Sequence, residues 1–347
     1  MAMTERPQIS VVIPVRNGEG TIRRCLEAVR RSKFHNYELI VVDDGSEDDS
    51  ASISNELADK VISLGEKRGK ICARKTGHHV AKGELLVFLD ADVVIKEDTL
   101  EVIHDYFSRC PQISAATGML SKEHPNKDFF SQYKNLYMHY TFSRLPDRVT
   151  FLYGSIFALR SDVLFQVDDH LLFAEDTRFG QALTAKGHEI AFLQELQVVH
   201  LKFYSFFKFV INDFRVPYDW AWIFFEHRGW SQLGKRSTGF AHASMEQLIS
   251  VVLTPLVSVL TFLFTLGMGS QFGVASFVLV CIWLVLGIQF FSFLLKERGA
   301  TFALISIPVT FFDHVVMASG IGAGVMVSLV HLLRRYSAPN LRSLLTR

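Results

Sequence analysis

Glu84-Leu-Leu-Val-Phe-Leu-Asp-Ala-Asp-Val93 is the stretch whose reading decides the fold. Leu85 to Leu89 is a short, wholly apolar run rich in strand formers. That pattern suits a strand buried on both faces of a parallel sheet. Asp90 and Asp92 follow it, two residues apart. In open α/β sheets, ligands bind beyond the carboxyl ends of the strands. Two carboxylates there offer hard oxygen ligands to Mg²⁺ or Mn²⁺, which draws the rest of its shell from water and substrate phosphates. Taken alone, Asp-x-Asp also fits a strand-end turn with solvated acids, so the surrounding chain decides.

Upstream, Ile9 to Val15 is an apolar strand broken by Asn17-Gly-Glu-Gly20, and Thr21 to Ser32 carries apolar residues at helical spacing. Tyr37 to Val42 reads as a second strand and Lys60 to Leu64 as a short third, with a helix ending near Ala58 between them. Arg68-Gly-Lys70 opens a helix that Gly83 closes. This alternation predicts an α/β fold with a mostly parallel sheet flanked by helices. Downstream, Phe151 to Leu159 and Glu189 to Leu201 read as strands, and Thr177 to Lys186 as a helix with Glu175-Asp176 at its start. Acids at a helix N-terminus are favoured by the dipole whatever else they do. Thr117 to Arg148 is aromatic-rich and unpatterned; its tyrosines suit core packing better than sugar stacking.

Several motifs then fall in one order: Ile9-Ser-Val-Val-Ile-Pro-Val-Arg-Asn-Gly18, Val41-Val-Asp-Asp-Gly-Ser46, Arg68-Gly-Lys-x-x-Ala-Arg-Lys-x-Gly77, Phe88-Leu-Asp-Ala-Asp92, Gly154-Ser-Ile-Phe-Ala-Leu-Arg-Ser161 and Ala174-Glu-Asp-Thr-Arg-Phe-Gly180. Over about Gln8 to His200 this resembles the family-two glycosyltransferases of the GT-A fold. The resemblance implies an inverting transferase using a UDP- or GDP-type nucleotide-diphosphate sugar. It implies donor contacts from Pro14, Arg16, Asn17, Asp43, Asp44, Lys70, Arg74, Asp90, Gly154 and Ser155. It implies Asp176 as catalytic base with Glu175 orienting acceptor or base, and a divalent metal, Mn²⁺ or Mg²⁺, on Asp92 and His200 with Asp90 alongside.

Net charge is +1, which leaves no nucleic-acid footprint. Cys25, Cys72, Cys110 and Cys281 are scattered without Cys-x-x-Cys spacing, so they read as reduced packing residues. Phenylalanine contributes 30 of 347 residues, and no Asp, Glu, Lys or Arg occurs from Gln247 to Leu295. Leu248 to Met268 and Phe272 to Leu295 are each long enough to span a bilayer, which takes roughly 20 apolar residues. Arg228, Lys235 and Arg236 before them, and Lys296 and Arg298 after, predict cytoplasmic flanks. The start lacks an apolar signal segment, which agrees with a cytoplasmic catalytic domain.

Phe203, Phe206, Phe207, Val210, Ile211 and Phe214 form an apolar face, suited to a helix lying in a membrane interface or packed on the catalytic domain and stopped at Val216-Pro217. Near the end, Pro308 and Asp313 predict a break: Ala300 to Phe312 flat, His314 to Leu333 crossing, Asp313 at an interface, and a Gly320-x-x-x-Gly324 packing face. The basic tail argues instead for a re-entrant hairpin that keeps it inside. The expected division is a transferase domain over 1–202, an interfacial connector over 203–246, a membrane region over 247–333 with spans about 248–268, 272–295 and 314–333, and a basic tail over 334–347.

The expected protein is a multi-pass enzyme of the cell (inner) membrane. It glycosylates a lipid-linked or glycolipid acceptor, in keeping with cell envelope polysaccharide chemistry. A polyprenyl-phosphate sugar synthase, a polysaccharide synthase and a non-catalytic sugar-lipid binding protein are the alternatives. No Gln-x-x-Arg-Trp follows the transferase region, which counts against the polysaccharide synthase, because the processive synthases carry that motif.

Overall fold

A computed structural model describes residues 6–163, 175–226 and 244–344. Ala174 and the basic and aromatic residues Arg228, Trp230, Lys235 and Arg236 lie outside them, as do the tail side chains including Arg334, Arg335, Arg342 and Arg347. Residues up to Phe203 and from Tyr204 onward form two compact units.

The first unit begins with β1 (Ile9–Val15), α1 (Glu19–Arg30), β2 (Tyr37–Asp43), α2 (Ser50–Leu57), β3 (Lys60–Ser63), α3 (Lys70–Val80) and β4 (Leu85–Leu89). β2 and β4 flank β1 and β3 flanks β2, all parallel. Every residue of β1 and β4 is buried. Side chains alternate across a strand, so Val11, Ile13, Val87 and Leu89 enter one apolar core while Val12, Leu86 and Phe88 enter another on the opposite face. Two-sided burial is the reason these strands read as continuous apolar runs.

The unit continues with β5 (Val93–Val94), α4 (Thr99–Arg109), β6 (Ala115–Leu120), α5 (Phe129–Phe142), β7 (Arg148–Val149), β8 (Ile156–Arg160), α6 (Glu175–Ala185) and β9 (Ile190–His200). The strand order is β3-β2-β1-β4-β8-β6-β9-β5, with β7 also on β9. β8 runs antiparallel to both β4 and β6, while β9 is parallel to β6. The sheet is therefore mixed, parallel on one side of β4 and mostly antiparallel on the other. The unpatterned stretch after Thr117 contains α5, a helix in which Ser131 through Tyr137 are all buried.

The second unit contains α7 (Phe206–Glu226), α8 (Met245–Thr265), α9 (Ser270–Arg298) and α10 (Ala300–Leu344). Within them Met245–Thr265, Ser270–Arg298 and Ala300–His331 are long and apolar enough to cross a membrane. Two expected stops are absent. α7 continues through Pro217, and α10 runs unbroken through Pro308 and Asp313. A proline removes one backbone hydrogen bond and kinks a helix without always ending it, because neighbouring helices re-satisfy the freed groups. α7 and α10 supply that neighbour to each other: a Cβ on Gly320 would lie 2.1 Å from the Phe214 carbonyl oxygen, and one on Gly324 2.5 Å from that of Tyr218. Asp313 and His314 are buried inside this unit rather than at a water interface, and the Trp283 indole donates to His314 Nδ1 at 3.1 Å. Phe207 and Ile211 of α7 stay exposed while Phe209 and Asp213 are buried.

Candidate active site

The carboxyl ends of β1, β2 and β4 carry most of the expected donor residues. Pro14 lies in β1 opposite Val42. Arg16 reaches Glu47 at 3.9 Å. Asn17 takes a positive φ of 50°, donates its amide N–H to Ser46 Oγ at 3.0 Å, and accepts from the Glu47 amide at 2.9 Å. Asp43 and Asp44 are both buried and already accept backbone N–H groups. Asp43 takes that of Ser46 at 3.2 Å, which closes the turn after β2. Asp44 takes those of Arg68 at 2.6 Å and Gly69 at 3.0 Å, which fixes the start of α3. Their immediate work is thus to shape the β2 end and the α3 N-terminus.

α3 then delivers two cations. Lys70 Nζ lies 2.6 Å from Asp90 Oδ1. Arg74 is fully buried and aims its guanidinium at the protein's own acids: Nη2 donates to Asp90 Oδ1 at 3.0 Å and to the Gly154 carbonyl at 2.9 Å, and Nη1 donates to Glu175 Oε1 at 3.1 Å. The flat fork of arginine suits such a multi-pronged role. Arg74 so joins β4, the turn before β8 and the start of α6.

Glu175 and Asp176 share a helix start but not an environment. Burial pushes the Glu175 carboxyl up, and the charges of Arg74 and Lys70 overcome it and hold the group below its ordinary value. Asp176 is pushed up to about 6, first by burial and then by the neighbouring Glu175 charge, against the opposing pull of Arg74 and Lys70. Its two oxygens accept from the Gly154 amide and the Thr177 amide, each at 2.7 Å. Gly154 is required here: a Cβ would stand 2.7 Å from Asp176 Oδ2 and 3.3 Å from Arg74 Nη2. Ser155 contributes its carbonyl, which accepts the Asp90 amide at 3.3 Å.

Asp92 meets His200 through backbone pairing. Val93 sits opposite His200 in the β5–β9 ladder, and the Leu201 amide donates to the Asp92 carbonyl at 2.8 Å. His200 Nε2 consequently lies 3.3 Å from Asp92 Oδ2. Burial raises the Asp92 carboxyl, but the His200 hydrogen bond and charge, with Lys70 and Lys202, bring it down to about 2. Asp90 Oδ1 is held by Lys70 and Arg74. Among the described residues no three His, Cys, Asp or Glu side chains converge as a metal site. Asp92 and His200 offer two facing donors, a carboxylate and an imidazole. That set fits a divalent ion that takes the rest of its shell from water and phosphate oxygens.

Some contributors carried no signal in the sequence. Thr117, buried in β6, donates to the Ile156 carbonyl and accepts from the Tyr153 amide, both at 2.9 Å, and so staples the turn that presents Gly154. Lys134 of α5 is buried with its ammonium 5.4 Å from the Tyr137 ring centroid. Lys202 has its ammonium held below the usual lysine range, first by burial and then by Lys134 and Lys70, against attraction from Asp92 and Asp90.

The profile of Glycosyl transferase family 2 matches residues 10–167. Glycosyltransferase GlyG of Streptococcus pneumoniae is 35% identical over 101 residues, 28% of this chain and 34% of that protein. Glycosyltransferase AglE of Haloferax volcanii is 26% identical over 208 residues, 56% of this chain and 67% of that protein. An undecaprenyl-phosphate 4-deoxy-4-formamido-L-arabinose transferase of Pseudomonas fluorescens is 37% identical over 94 residues, 24% of this chain and 28% of that protein. The matches with the first curated relatives span about a third of those proteins' length or less. Among solved structures, a mannosyltransferase from Pyrobaculum calidifontis, in complex with GDP-mannose and Mn²⁺, aligns over 94% of this chain and 88% of its own with a TM-score of 0.55 at 16% identity, a likeness of fold. Residues 10–167 thus match the family-two glycosyltransferase domain, the fold is GT-A-like, and among the described residues three C-terminal helices are long and apolar enough to cross a membrane.

Proposed function

We propose that the chain is a membrane-anchored inverting glycosyltransferase, which moves a sugar from a nucleotide-diphosphate donor to a hydroxyl of a lipid-linked or glycolipid acceptor at the cytoplasmic face. The observation that carries this reading is Asp176: a buried carboxylate fixed by two amide N–H groups and tuned to about 6. A sugar hydroxyl is un-ionised at neutral pH, so its attack needs a base, and a base works best with a pKa near the operating pH. Asp176 takes the hydroxyl proton as the acceptor oxygen bonds to the anomeric carbon. The bond from that carbon to the donor's diphosphate oxygen breaks on the opposite side, and the nucleoside diphosphate leaves.

Arg74 orients Asp90 and Glu175 around this centre and keeps Glu175 ionised, which in turn raises Asp176. Asp92 and His200 would hold a divalent metal, as Mn²⁺ is present in the mannosyltransferase of like fold. When bound it supplies neutralising charge to the departing diphosphate. The apolar spans support a lipid-borne acceptor, since an anchored domain meets such substrates in the plane of the membrane.

A second reading has a relative in its favour: the undecaprenyl-phosphate sugar transferase. A phosphate monoester is already an anion, with a second pKa near about 6, so it needs no proton removed. The test is Asp176→Asn in purified full-length protein, assayed for donor binding and for transfer to sugar-hydroxyl and to polyprenyl-phosphate acceptors. Retained donor binding with lost transfer supports the hydroxyl reading. Transfer to polyprenyl phosphate at near wild-type rate replaces it with the second.

A further inference from the structure

We propose that Thr117 is a positioning residue: its hydroxyl brackets the turn from Tyr153 to Ile156 and so fixes Asp176 for proton transfer. The inference rests on the glycosyl-transfer reading above and names a residue that reading does not use. The turn is closed by the Ile156 amide, which donates to the Tyr153 carbonyl at 3.1 Å. Thr117 Oγ1 holds both of its ends, accepting from the Tyr153 amide and donating to the Ile156 carbonyl, each at 2.9 Å. The two central residues serve the candidate site. Gly154 gives its amide to Asp176 Oδ2 at 2.7 Å and its carbonyl to Arg74 Nη2 at 2.9 Å. Ser155 gives its carbonyl to the Asp90 amide at 3.3 Å. One buried hydroxyl thus stands behind all of these contacts.

Neither the sheet nor Gly154 itself can do this work. The β6–β8 ladder ends at the pair Thr117–Phe157, next to Ile156. The β6–β9 ladder shifts register between Thr117 and Met119. Such irregularities occur beside active sites, where they re-aim a side chain. On the β6 side, the Thr117 hydroxyl takes over where backbone pairing stops. Gly154 has no side chain to pack, and a Cβ there would stand 2.7 Å from Asp176 Oδ2. The place of its amide is therefore set by its neighbours. Thr117 is fully buried and β-branched, which leaves its hydroxyl few directions. If the turn loosens, Arg74 keeps Asp90 and Glu175 as partners. Asp176 keeps the amide of Thr177 in its own helix and loses its hold on Gly154. The effect therefore falls first on Asp176.

The experiment uses purified full-length protein. Thr117→Val keeps the shape and removes the hydroxyl, Thr117→Ala removes hydroxyl and methyl, and Thr117→Ser keeps the hydroxyl. Transfer from GDP-mannose and from UDP-N-acetylglucosamine to octyl glucoside is measured with Mn²⁺, beside donor Kd by titration and the thermal midpoint. A threonine that only satisfies buried backbone groups would lower the midpoint of Thr117→Val and leave kcat of the folded protein alone. A misplacement of about 1 Å costs on the order of 10²-fold in rate, so the positioning role should lower kcat roughly 10- to 100-fold at unchanged donor Kd. Thr117→Ser should restore most of that loss. In the Asp176→Asn background, Thr117→Val should add no further loss, because residues acting through one group are not additive. If Thr117→Val is unfolded at the assay temperature, Thr117→Ala is read in its place. Suppose Asp176→Asn lowers transfer, but the folded hydroxyl-free variant turns over like wild type or its loss multiplies with that of Asp176→Asn. Thr117 is then overturned as a positioning residue while the transfer reading stands. If wild type transfers from neither donor, or Asp176→Asn transfers like wild type, that reading falls and the inference with it.

Discussion

The two halves of the sheet are built on different principles. From β3 to β4 the strands are parallel and joined by helices, β1 and β4 are buried along their whole length, and the carboxyl ends all point one way. From β8 to β5 the sheet is mixed, antiparallel except where β9 runs parallel to β6, and two strands have only two residues each. The first half presents acids and cations as a set, because every strand ends on the same edge. The second half places single groups: Gly154 before β8, Asp176 after it, and His200 at the far end of β9. On the proposed reading, the parallel half makes a binding edge and the mixed half delivers the reacting groups to it. Arg74 is the joint, since one guanidinium touches Asp90 from the first half and Gly154 and Glu175 from the second.

The most severe way to break this division is at the mixed half. Asp176→Asn should lower transfer to a hydroxyl acceptor by roughly 10²- to 10⁴-fold, the usual worth of a general base. Binding of the nucleotide diphosphate, which the parallel half governs, should change little. Equal loss of nucleotide affinity and turnover would show that the two halves do not divide the work.

Next in size is the joint itself. Arg74→Met leaves Asp90 and Glu175 short of their buried counter-charge, and breaking a buried ion pair in this way costs about 3–5 kcal/mol. The expected outcome is a marked fall in the thermal midpoint together with loss of activity. Lys70 remains 2.6 Å from Asp90, so Glu175 should suffer more. Removing both partners, as Arg74→Met with Glu175→Gln, should recover part of the stability and none of the turnover. A stable single variant would mean that solvent or Lys70 already compensates the acids.

A smaller effect is expected at His200. His200→Gln should weaken Mn²⁺-dependent nucleotide binding at least as much as loss of an outer-shell partner does, roughly 10- to 100-fold, while metal-free binding stays the same. Isothermal titration with and without Mn²⁺ measures it, and equal affinities in wild type and variant would remove His200 from the metal.

The same division governs what could be read from the sequence. Strands buried on both faces are continuous apolar runs, so β1, β2 and β4 stood out, and their acids with them. α5 did not, because burial from Ser131 through Tyr137 on every side leaves no amphipathic period to detect. Asp92 and His200 were joined in the sequence only by the family resemblance, because their meeting depends on β5, a strand of two residues. Arg74 was legible as a cation. Its partners were not, since they lie 16, 80 and 101 positions away along the chain. In the helical unit, Pro217 and Pro308 suggested stops that packing between α7 and α10 overrides.

The mildest test uses pH alone. Asp176 is raised to about 6 by burial and by Glu175, while Glu175 is held low once Arg74 and Lys70 outweigh its own burial. Only Asp176 of this pair therefore changes charge between pH 5 and 7. As a base it must be ionised, so turnover with a hydroxyl acceptor should rise with pH through about 6 and level off above, falling roughly tenfold per unit well below that value. Its effect on stability has the opposite sign. A carboxyl whose folded pKa lies above its unfolded one contributes stability that is fully present below the unfolded value, near about 4, and lost as pH rises through about 6. Activity and the thermal midpoint should thus move apart across the same window, by way of one carboxyl. Asp176→Asn should flatten that part of the stability profile. If wild type and Asp176→Asn keep parallel midpoint curves from pH 5 to 7, the group that titrates there is not Asp176, and the pH dependence of transfer must be sought in the acceptor.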